Sequence, residues 1–324
     1  MVVVNDTTAP DRELSLVVAA RAPAADGVVR ITLARQDKGL LPEWEPGAHI
    51  DLLLDSGLIR QYSLCGSPSN RTSWEIAVLL EKESRGGSSF IFDRLSRGSS
   101  ATVRGPRNNF ALAPAPAYRF VAGGIGITPI LTMIEAADAA ERDWRLLYGG
   151  RTAGSMAFVD TLLARYGDLV QVRPQDEHGL LDLDGFLRDR PDGALVYCCG
   201  PEPLLAAVED VCAGWSPRSL HLERFAPKEQ TDAGVDTSFE VELLRSGTTL
   251  KVPVDRSILS VVEDEGVFVV SSCTEGTCGS CETGVLAGSP DHRDSVLDAQ
   301  DQASNQSMMI CVSRSLSPRL VLDL

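Results

Sequence analysis

Cys273-Thr274-Glu275-Gly276-Thr277-Cys278-Gly279-Ser280-Cys281 spaces three thiols as C-x4-C-x2-C, and Cys311 adds a fourth after 29 intervening residues. That is the spacing of plant-type ferredoxins, in which four cysteine thiolates hold a two-iron, two-sulfur (2Fe-2S) cluster. Three ligands on one loop require a tightly wrapped backbone, and the small residues Gly276, Gly279 and Ser280 permit it. Amides in such a loop also donate to the sulfurs and stabilise the reduced cluster. The competing chemistry is zinc held by four thiolates, but zinc ribbons pair short C-x2-C knuckles and only one pair here has that spacing. Cys273, Cys278, Cys281 and Cys311 are therefore the expected iron ligands.

Upstream of the cysteines, Phe239 to Leu244 and Thr249 to Val254 read as a hairpin across Ser246-Gly247. Ser257 to Glu265 reads as a helix with Ser257 or Asp255 as N-cap and Gly266 ending it. Residues 237–324 thus make an α+β domain. The run Pro227-Lys228-Glu229-Gln230-Thr231-Asp232-Ala233-Gly234 is polar and nearly free of apolar residues, which predicts a linker over 227–236.

Before the linker the pattern alternates. Apolar strands at Tyr118 to Ala122, Arg145 to Tyr148, Val170 to Val172, Ala194 to Cys199 and Ser219 to Leu222 are interleaved with helical stretches such as Ile130 to Ala140 and Pro203 to Val211. That order predicts a parallel α/β sheet over 116–226. Still earlier, short apolar runs at Leu14 to Ala20, Val28 to Leu33, His49 to Leu54, Ile59 to Leu64 and Trp74 to Leu80 are separated by turn residues, as in a small antiparallel barrel spanning 1–115. The proline-broken segment Ala113-Pro114-Ala115-Pro116-Ala117 marks the boundary.

A length of 324 residues agrees with several domains at roughly 100 to 200 residues each. The net charge of -15 disfavours a nucleic-acid partner, whose phosphates need Lys and Arg, and no apolar run approaches the roughly 20 residues of a membrane span. Met1 to Pro10 lacks a basic flank and a sustained apolar stretch, so a cytoplasmic protein with reduced thiols is expected.

Two further constellations carry chemistry. Arg60-Gln61-Tyr62-Ser63-Leu64 lies on a strand and offers a guanidinium for phosphate, an aromatic ring for a flavin and a hydroxyl for its reactive nitrogen; alone it also fits an ordinary barrel strand. Arg85-Gly86-Gly87-Ser88 precedes a helix read as Phe90 to Leu95, so glycine amides and a hydroxyl can converge on a phosphate, or simply form a turn. In the α/β segment, Gly123-Gly124-Ile125-Gly126-Ile127-Thr128-Pro129 lies between the first strand and its helix, where open sheets bind ligands, with Thr128 as a candidate cap and Pro129 in the first turn. Cys198-Cys199-Gly200-Pro201 ends a later strand and opens another helix. Arg151, after Tyr148-Gly149-Gly150, lies where an adenosine ribose is expected, and Asp176-Glu177 reads as a turn.

The cysteine loop with Met309-Ile310-Cys311-Val312, and Asp291-His292-Arg293-Asp294 with Val296-Leu297 between the third and fourth cysteines, resembles the C-terminal ferredoxin domain of the phthalate dioxygenase reductase family, which includes vanillate O-demethylase reductase-like proteins. The resemblance covers nearly the whole chain. It implies a multidomain protein: an antiparallel β-barrel flavin domain, an α/β parallel-sheet nicotinamide domain and an α+β (β-grasp) plant-type ferredoxin domain. It also implies FMN rather than FAD and NADH rather than NADPH, with Arg60, Gln61, Tyr62, Ser63, Leu64, Gly86, Gly87 and Ser88 at the flavin. Main-chain contacts are carried over to Ala77, Val78 and Leu79, although Leu79 and Leu80 replace more polar residues. Gly123, Gly124, Ile125, Gly126, Thr128, Pro129, Arg151, Cys199, Gly200 and Pro201 fall to the nicotinamide nucleotide, with Cys199 beside its ring and Ser63 and Cys199 as the catalytic pair. Phe225 either covers the flavin or fills a domain joint.

The implied reaction takes a hydride to the flavin and sends single electrons through the cluster to a separate terminal oxygenase component of Rieske type, from a monomeric reductase. A cytochrome P450 is the alternative acceptor, and a non-catalytic iron-sulfur redox sensor is the alternative of another class. His49, His178, His221 and His292 are scattered and read as structural or surface groups, with His292 and Arg293 expected on the face that meets the acceptor.

Overall fold

The computed structural model describes residues 13–54, 57–81, 86–216, 218–228 and 236–324. Arg85 and residues 229–235, which hold most of the expected linker, lie outside them. The chain divides into two compact units, residues 1–223 and 224–324. Among the described residues no helix is long and apolar enough to cross a membrane.

The first unit opens with β1 (Glu13–Ala25), β2 (Val28–Ala34), β3 (His49–Leu53), β4 (Ile59–Ser63), β5 (Ser73–Leu79), helix α1 (Gly87–Arg94) and β6 (Ser100–Arg107). The six strands pair antiparallel in the order β4-β3-β6-β1-β2-β5. Their two ends meet where Leu64 bridges Ile76 and Cys65 N donates to Glu75 O at 2.9 Å, so the sheet curls into a barrel. Alternation fills it: Leu16 and Val18, Ile31 and Leu33, and Trp74, Ile76 and Val78 point inward. Strand β6 was not among the runs read from the sequence. It carries only Ala101 and Val103 as buried apolar residues, yet it lies between β3 and β1.

The same unit continues through β7 (Ala117–Gly123), α2 (Ile127–Ala139), β8 (Asp143–Gly150), α3 (Val159–Tyr166), β9 (Val170–Pro174), α4 (Gln175–His178), α5 (Leu183–Arg188), β10 (Leu195–Cys199), α6 (Glu202–Cys212) and β11 (Leu220–Glu223). All four strand pairs are parallel, in the order β11-β10-β7-β8-β9. Phe120 and Ala122 enter one apolar layer and Val121 the other, so β7 is buried on both faces. The chain runs from β7 outward to β9 and then returns to β10 on the other side of β7. The crevice of such a sheet therefore opens between the carboxyl ends of β7 and β10.

The second unit holds β12 (Phe239–Leu243), β13 (Thr248–Val252), α7 (Ile258–Asp264), β14 (Glu282–Ala287), β15 (Pro290–Asp291), α8 (Ala299–Ser304), β16 (Ser307–Met309), β17 (Arg314–Ser315) and β18 (Arg319–Leu322). A mixed sheet, β13-β12-β18-β14-β16, has β12 and β18 parallel and its other pairs antiparallel. Helix α7 contributes Ile258, Leu259 and Val262 to the core of this sheet, which is the mixed sheet and packed helix of a ferredoxin. Ser257 Oγ accepts from Ser260 N at 3.1 Å as the N-cap, and Gly266 follows the helix at φ +83°.

Candidate cofactor sites

Strand β4 places Arg60 against the start of α1. A Cβ on Gly87 would stand 2.7 Å from Arg60 Nε and 2.8 Å from its Cγ, so the Arg60 arm lies directly across the helix terminus and would have to shift for any larger residue. Gly86 precedes the helix at φ +92° with no side-chain cap, and Ser88, buried beside it, accepts from Glu81 N at 3.1 Å. One cationic side chain and a helix N-terminus thus converge, which suits a phosphate. The helix begins at Gly87 rather than at Phe90, because Gly87, Ser88 and Ser89 are themselves part of its first turn.

The rest of the strand divides between core and site. Leu64 is fully buried in the barrel core, as is Val78, while Tyr62 packs against that core half-buried, and burial raises its phenol above the ordinary value. Gln61 is committed within the protein: its Nε2 donates to Asp51 Oδ1 at 3.0 Å, and buried Asp51 also pairs with Arg107. Ala77 packs with Val28, Cys65 and Ala157, and Leu79 lies at the margin of that cluster.

Ser63 lies at the end of β4, Cys199 at the end of β10 and Glu223 at the end of β11. The Cys199 Sγ lies 3.8 Å from Glu223 Oε2, and Ser63 hydrogen-bonds the same carboxyl. Glu223 is half-buried as a residue, but its carboxyl turns inward. Burial pushes it up to about 8, against the opposing pull of the hydrogen bonds from Cys199 and Ser63. Burial, reinforced by Glu223 and Cys198, likewise holds the Cys199 thiol well above the ordinary thiol range. Burial thus favours the protonated, uncharged forms of both the thiol and the carboxyl, beside the neutral Ser63 hydroxyl. No nucleophile is activated here; the three groups position and hydrogen-bond. Glu223 was not among the sequence candidates. Its signal was slight: a carboxylate closing an apolar parallel strand at the carboxyl edge, where α/β sheets bind ligands. Cys198, one residue away, faces the opposite apolar layer and is a packed thiol.

The two turn motifs of the α/β sheet meet each other. A Cβ on Gly126 would stand 2.3 Å from Cys199 O, and one on Gly123 would stand 2.7 Å from Pro201 Cδ and Leu204 Cδ2. Gly200 in turn would meet Gly123 Cα at 3.0 Å. These glycines are required by contact between the turns, so that the crevice walls close together; Gly124, at φ +55°, has no neighbour within 4 Å and leaves open space. Gly126→Ala is accordingly expected to lower stability by about 1–3 kcal/mol, measured by denaturant unfolding, because backbone cannot yield as a side chain tip does.

Thr128 is not the cap expected of it. The helix is preceded by Gly126, and the buried Thr128 hydroxyl donates to Ile125 O at 3.0 Å from within the first turn, which Pro129 shares. Ile125 packs against the Ala157 cluster. Arg151 is exposed just past β8, its carbonyl accepting from Asp176 N at 3.2 Å, and Asp176-Glu177 form the single turn of α4. Pro201 precedes α6 in extended conformation. Phe225 lies in the second unit, 48% exposed.

In the second unit the four ligand candidates come together. Cys273 N donates to Cys278 Sγ at 3.5 Å, and Glu275 N and Thr277 N donate to Cys273 Sγ at 3.3 and 3.4 Å. Side-chain hydrogen bonds link Cys278 to Cys273, Cys273 to Cys311, and Cys311 to Cys281. Sharing protons along this row holds Cys273 and Cys281 below the ordinary thiol value and Cys278 and Cys311 above it. Four thiols in sequence-distant contact, with amides already aimed at sulfur, fit a binuclear cluster. Cys273 is partly exposed and the other three are buried. His292 and Arg293 are not on the surface as expected: their side chains are 8% and 16% exposed, His292 facing Asp294 and Arg293 paired with Asp236 and Asp291.

Residues 241–316 match the family model of the 2Fe-2S iron-sulfur cluster binding domain. The chain is 43% identical to phenoxybenzoate dioxygenase subunit beta of Ectopseudomonas oleovorans, over 96% of this chain and 97% of that protein. Among solved structures, an intact type IV self-sufficient cytochrome P450 monooxygenase matches at 42% identity and a TM-score of 0.89, covering 96% of this chain; the chain spans 41% of that longer protein. The structure of phthalate dioxygenase reductase, described as modular for electron transfer from pyridine nucleotides to [2Fe-2S], matches at 37% identity and a TM-score of 0.70 over 96% of this chain and 98% of its own. With both sheets, the cysteine row and end-to-end similarity in agreement, the chain belongs to the phthalate dioxygenase reductase family.

Proposed function

We propose that this chain is the reductase component of a multicomponent oxygenase, taking a hydride from NADH to FMN and passing single electrons through its 2Fe-2S cluster to a separate Rieske-type oxygenase or demethylase. The observation that carries the proposal is the convergence of Ser63, from the barrel, with Cys199 and Glu223, from the parallel sheet, at the mouth of the β7/β10 crevice. Bound FMN supplies the conversion of an electron pair into single electrons.

The chain's own residues bind and orient. Arg60 and the amides at the start of α1 hold a flavin phosphate, and Tyr62 supplies an aromatic face. Ser63 Oγ would hydrogen-bond the flavin, and the Cys199 thiol would pack beside the nicotinamide. Glu223 keeps its proton at the carboxyl and holds both groups. The turns at Gly123–Gly126 and Gly200–Pro201 position the dinucleotide, and Arg151 lies on its adenosine side. FMN is favoured over FAD, and NADH over NADPH, by family likeness.

Releasing the flavin for chromatography and titrating the holoprotein with NADH and with NADPH tests these assignments; FAD in the eluate or preference for NADPH overturns them. Arg60→Ala is expected to weaken FMN binding about tenfold to a hundredfold, the worth of a charge-assisted hydrogen bond of ~1.5–3 kcal/mol, read from the fluorescence of released flavin. The likeness to a self-sufficient P450 supports a second reading, a P450 as acceptor. Electron delivery to a purified Rieske oxygenase and to a P450, compared at equal concentration, separates the two.

A further inference from the structure

We infer that Asp291–Ser295 is a clasp that fixes the cluster loop, with Asp294 as its positioning residue. Asp294 is buried, and its Oδ2 accepts from Val296 N at 3.0 Å and Leu297 N at 2.8 Å, so the carboxylate sets a tight turn at its own position. That turn lies against Gly276, midway between Cys273 and Cys278. A Cβ on Gly276 would stand 3.1 Å from Asp294 Cα, 3.3 Å from Asp294 Cβ and 2.6 Å from Cγ2 of Val312, the residue after Cys311. Ser295 N then donates to Gly276 O at 2.8 Å. The loop bearing three ligands is thus held between Asp294-Ser295 on one side and the chain bearing the fourth ligand on the other.

The clasp is anchored from behind. Arg293 donates from its backbone to Ser313 Oγ at 3.1 Å and from Nη2 to Asp236 Oδ1 at 2.6 Å, and its Nε reaches Asp291 Oδ2 at 2.8 Å. Lys228 N donates to Ser295 Oγ at 2.9 Å. Lys228 and Asp236 lie near the two ends of the expected linker, 227–236, so both of those ends are tied to the segment that touches the cluster loop. The second carboxylate oxygen of Asp294 faces His292 Nδ1 at 3.8 Å inside the same buried patch.

The inference rests on the cluster assignment, and the test separates the two: wild-type protein without cluster absorbance sinks the assignment, whereas the variants address the clasp alone. In holoprotein challenged with an iron chelator, Asp294→Ala is expected to release iron about tenfold faster or more, the scale of a lost outer-shell partner. Asp294→Asn keeps an accepting oxygen for the two amides and is expected to stay within about twofold of wild type. Amide hydrogen exchange over residues 274–277 should quicken in the alanine variant and not in the asparagine one. Should Asp294→Ala fail to fold, Gly276→Ala presses the same contact from the loop side, with a strained φ of +72° as well, and is expected to release iron as fast. Iron release at the wild-type rate from Asp294→Ala or Gly276→Ala overturns the clasp. So does release from Asp294→Asn equal to that from Asp294→Ala, which assigns the effect to buried charge.

Discussion

Glu223→Ala is expected to slow the reduction of bound flavin by NADH about a hundredfold, the usual cost of removing one preorganised hydrogen-bonding group from a reaction site. Glu223 is the group that Ser63 and Cys199 share, so its loss frees both. Because burial raises its carboxyl to about 8, the wild-type rate should fall as pH rises through that value, as a neutral acid becomes a carboxylate at the crevice mouth. Glu223→Gln stays neutral and should show no such limb. The sign for stability is the same. The folded state binds the proton more tightly than the unfolded chain, so this group's contribution is complete below the ordinary carboxyl value and is lost as pH rises toward 8. Thermal unfolding should therefore show Glu223→Gln gaining on wild type between acid and alkaline buffers. A wild-type profile unchanged by Glu223→Gln removes the carboxyl from the site.

Cys281→Ala should abolish the cluster's visible absorbance and reduce electron delivery to a one-electron protein acceptor by about a hundredfold or more, since a missing ligand exceeds the 10–100-fold cost of a missing outer-shell partner. The residues proposed for flavin and nicotinamide, Phe225 apart, lie in the first unit and the cysteine loop in the second, so anaerobic bleaching of flavin by NADH should persist near the wild-type rate. The second unit should also melt at lower temperature, because metal binding contributes to its folding free energy. Retained acceptor reduction in Cys281→Ala contradicts an exit through the cluster.

What the sequence disclosed follows from how local each signal is. Strands β1 to β5 announce themselves as short apolar runs between turns, and β7 as a run interrupted by a single charged residue, Arg119. Strand β6 does not, because Ala101 and Val103 are small and Gly105-Pro106 follows them, yet the barrel needs it between β3 and β1. The cysteine spacing and the glycine turns are local and were legible as chemistry, but the reason for Gly126, a carbonyl of Cys199 against its face, is tertiary. Glu223 is the clearest case. It is remote in sequence from Ser63 and Cys199, and nothing in Leu220-His221-Leu222-Glu223 reports that three strand ends converge. His292 and Arg293 were expected on the acceptor-facing surface beside the cysteine loop; ion pairs with Asp236 and Asp291 let Arg293 turn inward instead.

The most direct measurement is an anaerobic titration of the holoprotein with NADH, following visible absorbance and electron paramagnetic resonance together. The account predicts that flavin absorbance bleaches and that the paramagnetic signal of a singly reduced binuclear cluster grows with it. Flavin that stays oxidised, or bleaches with no such signal, contradicts an electron path from nicotinamide through flavin to the four-cysteine row.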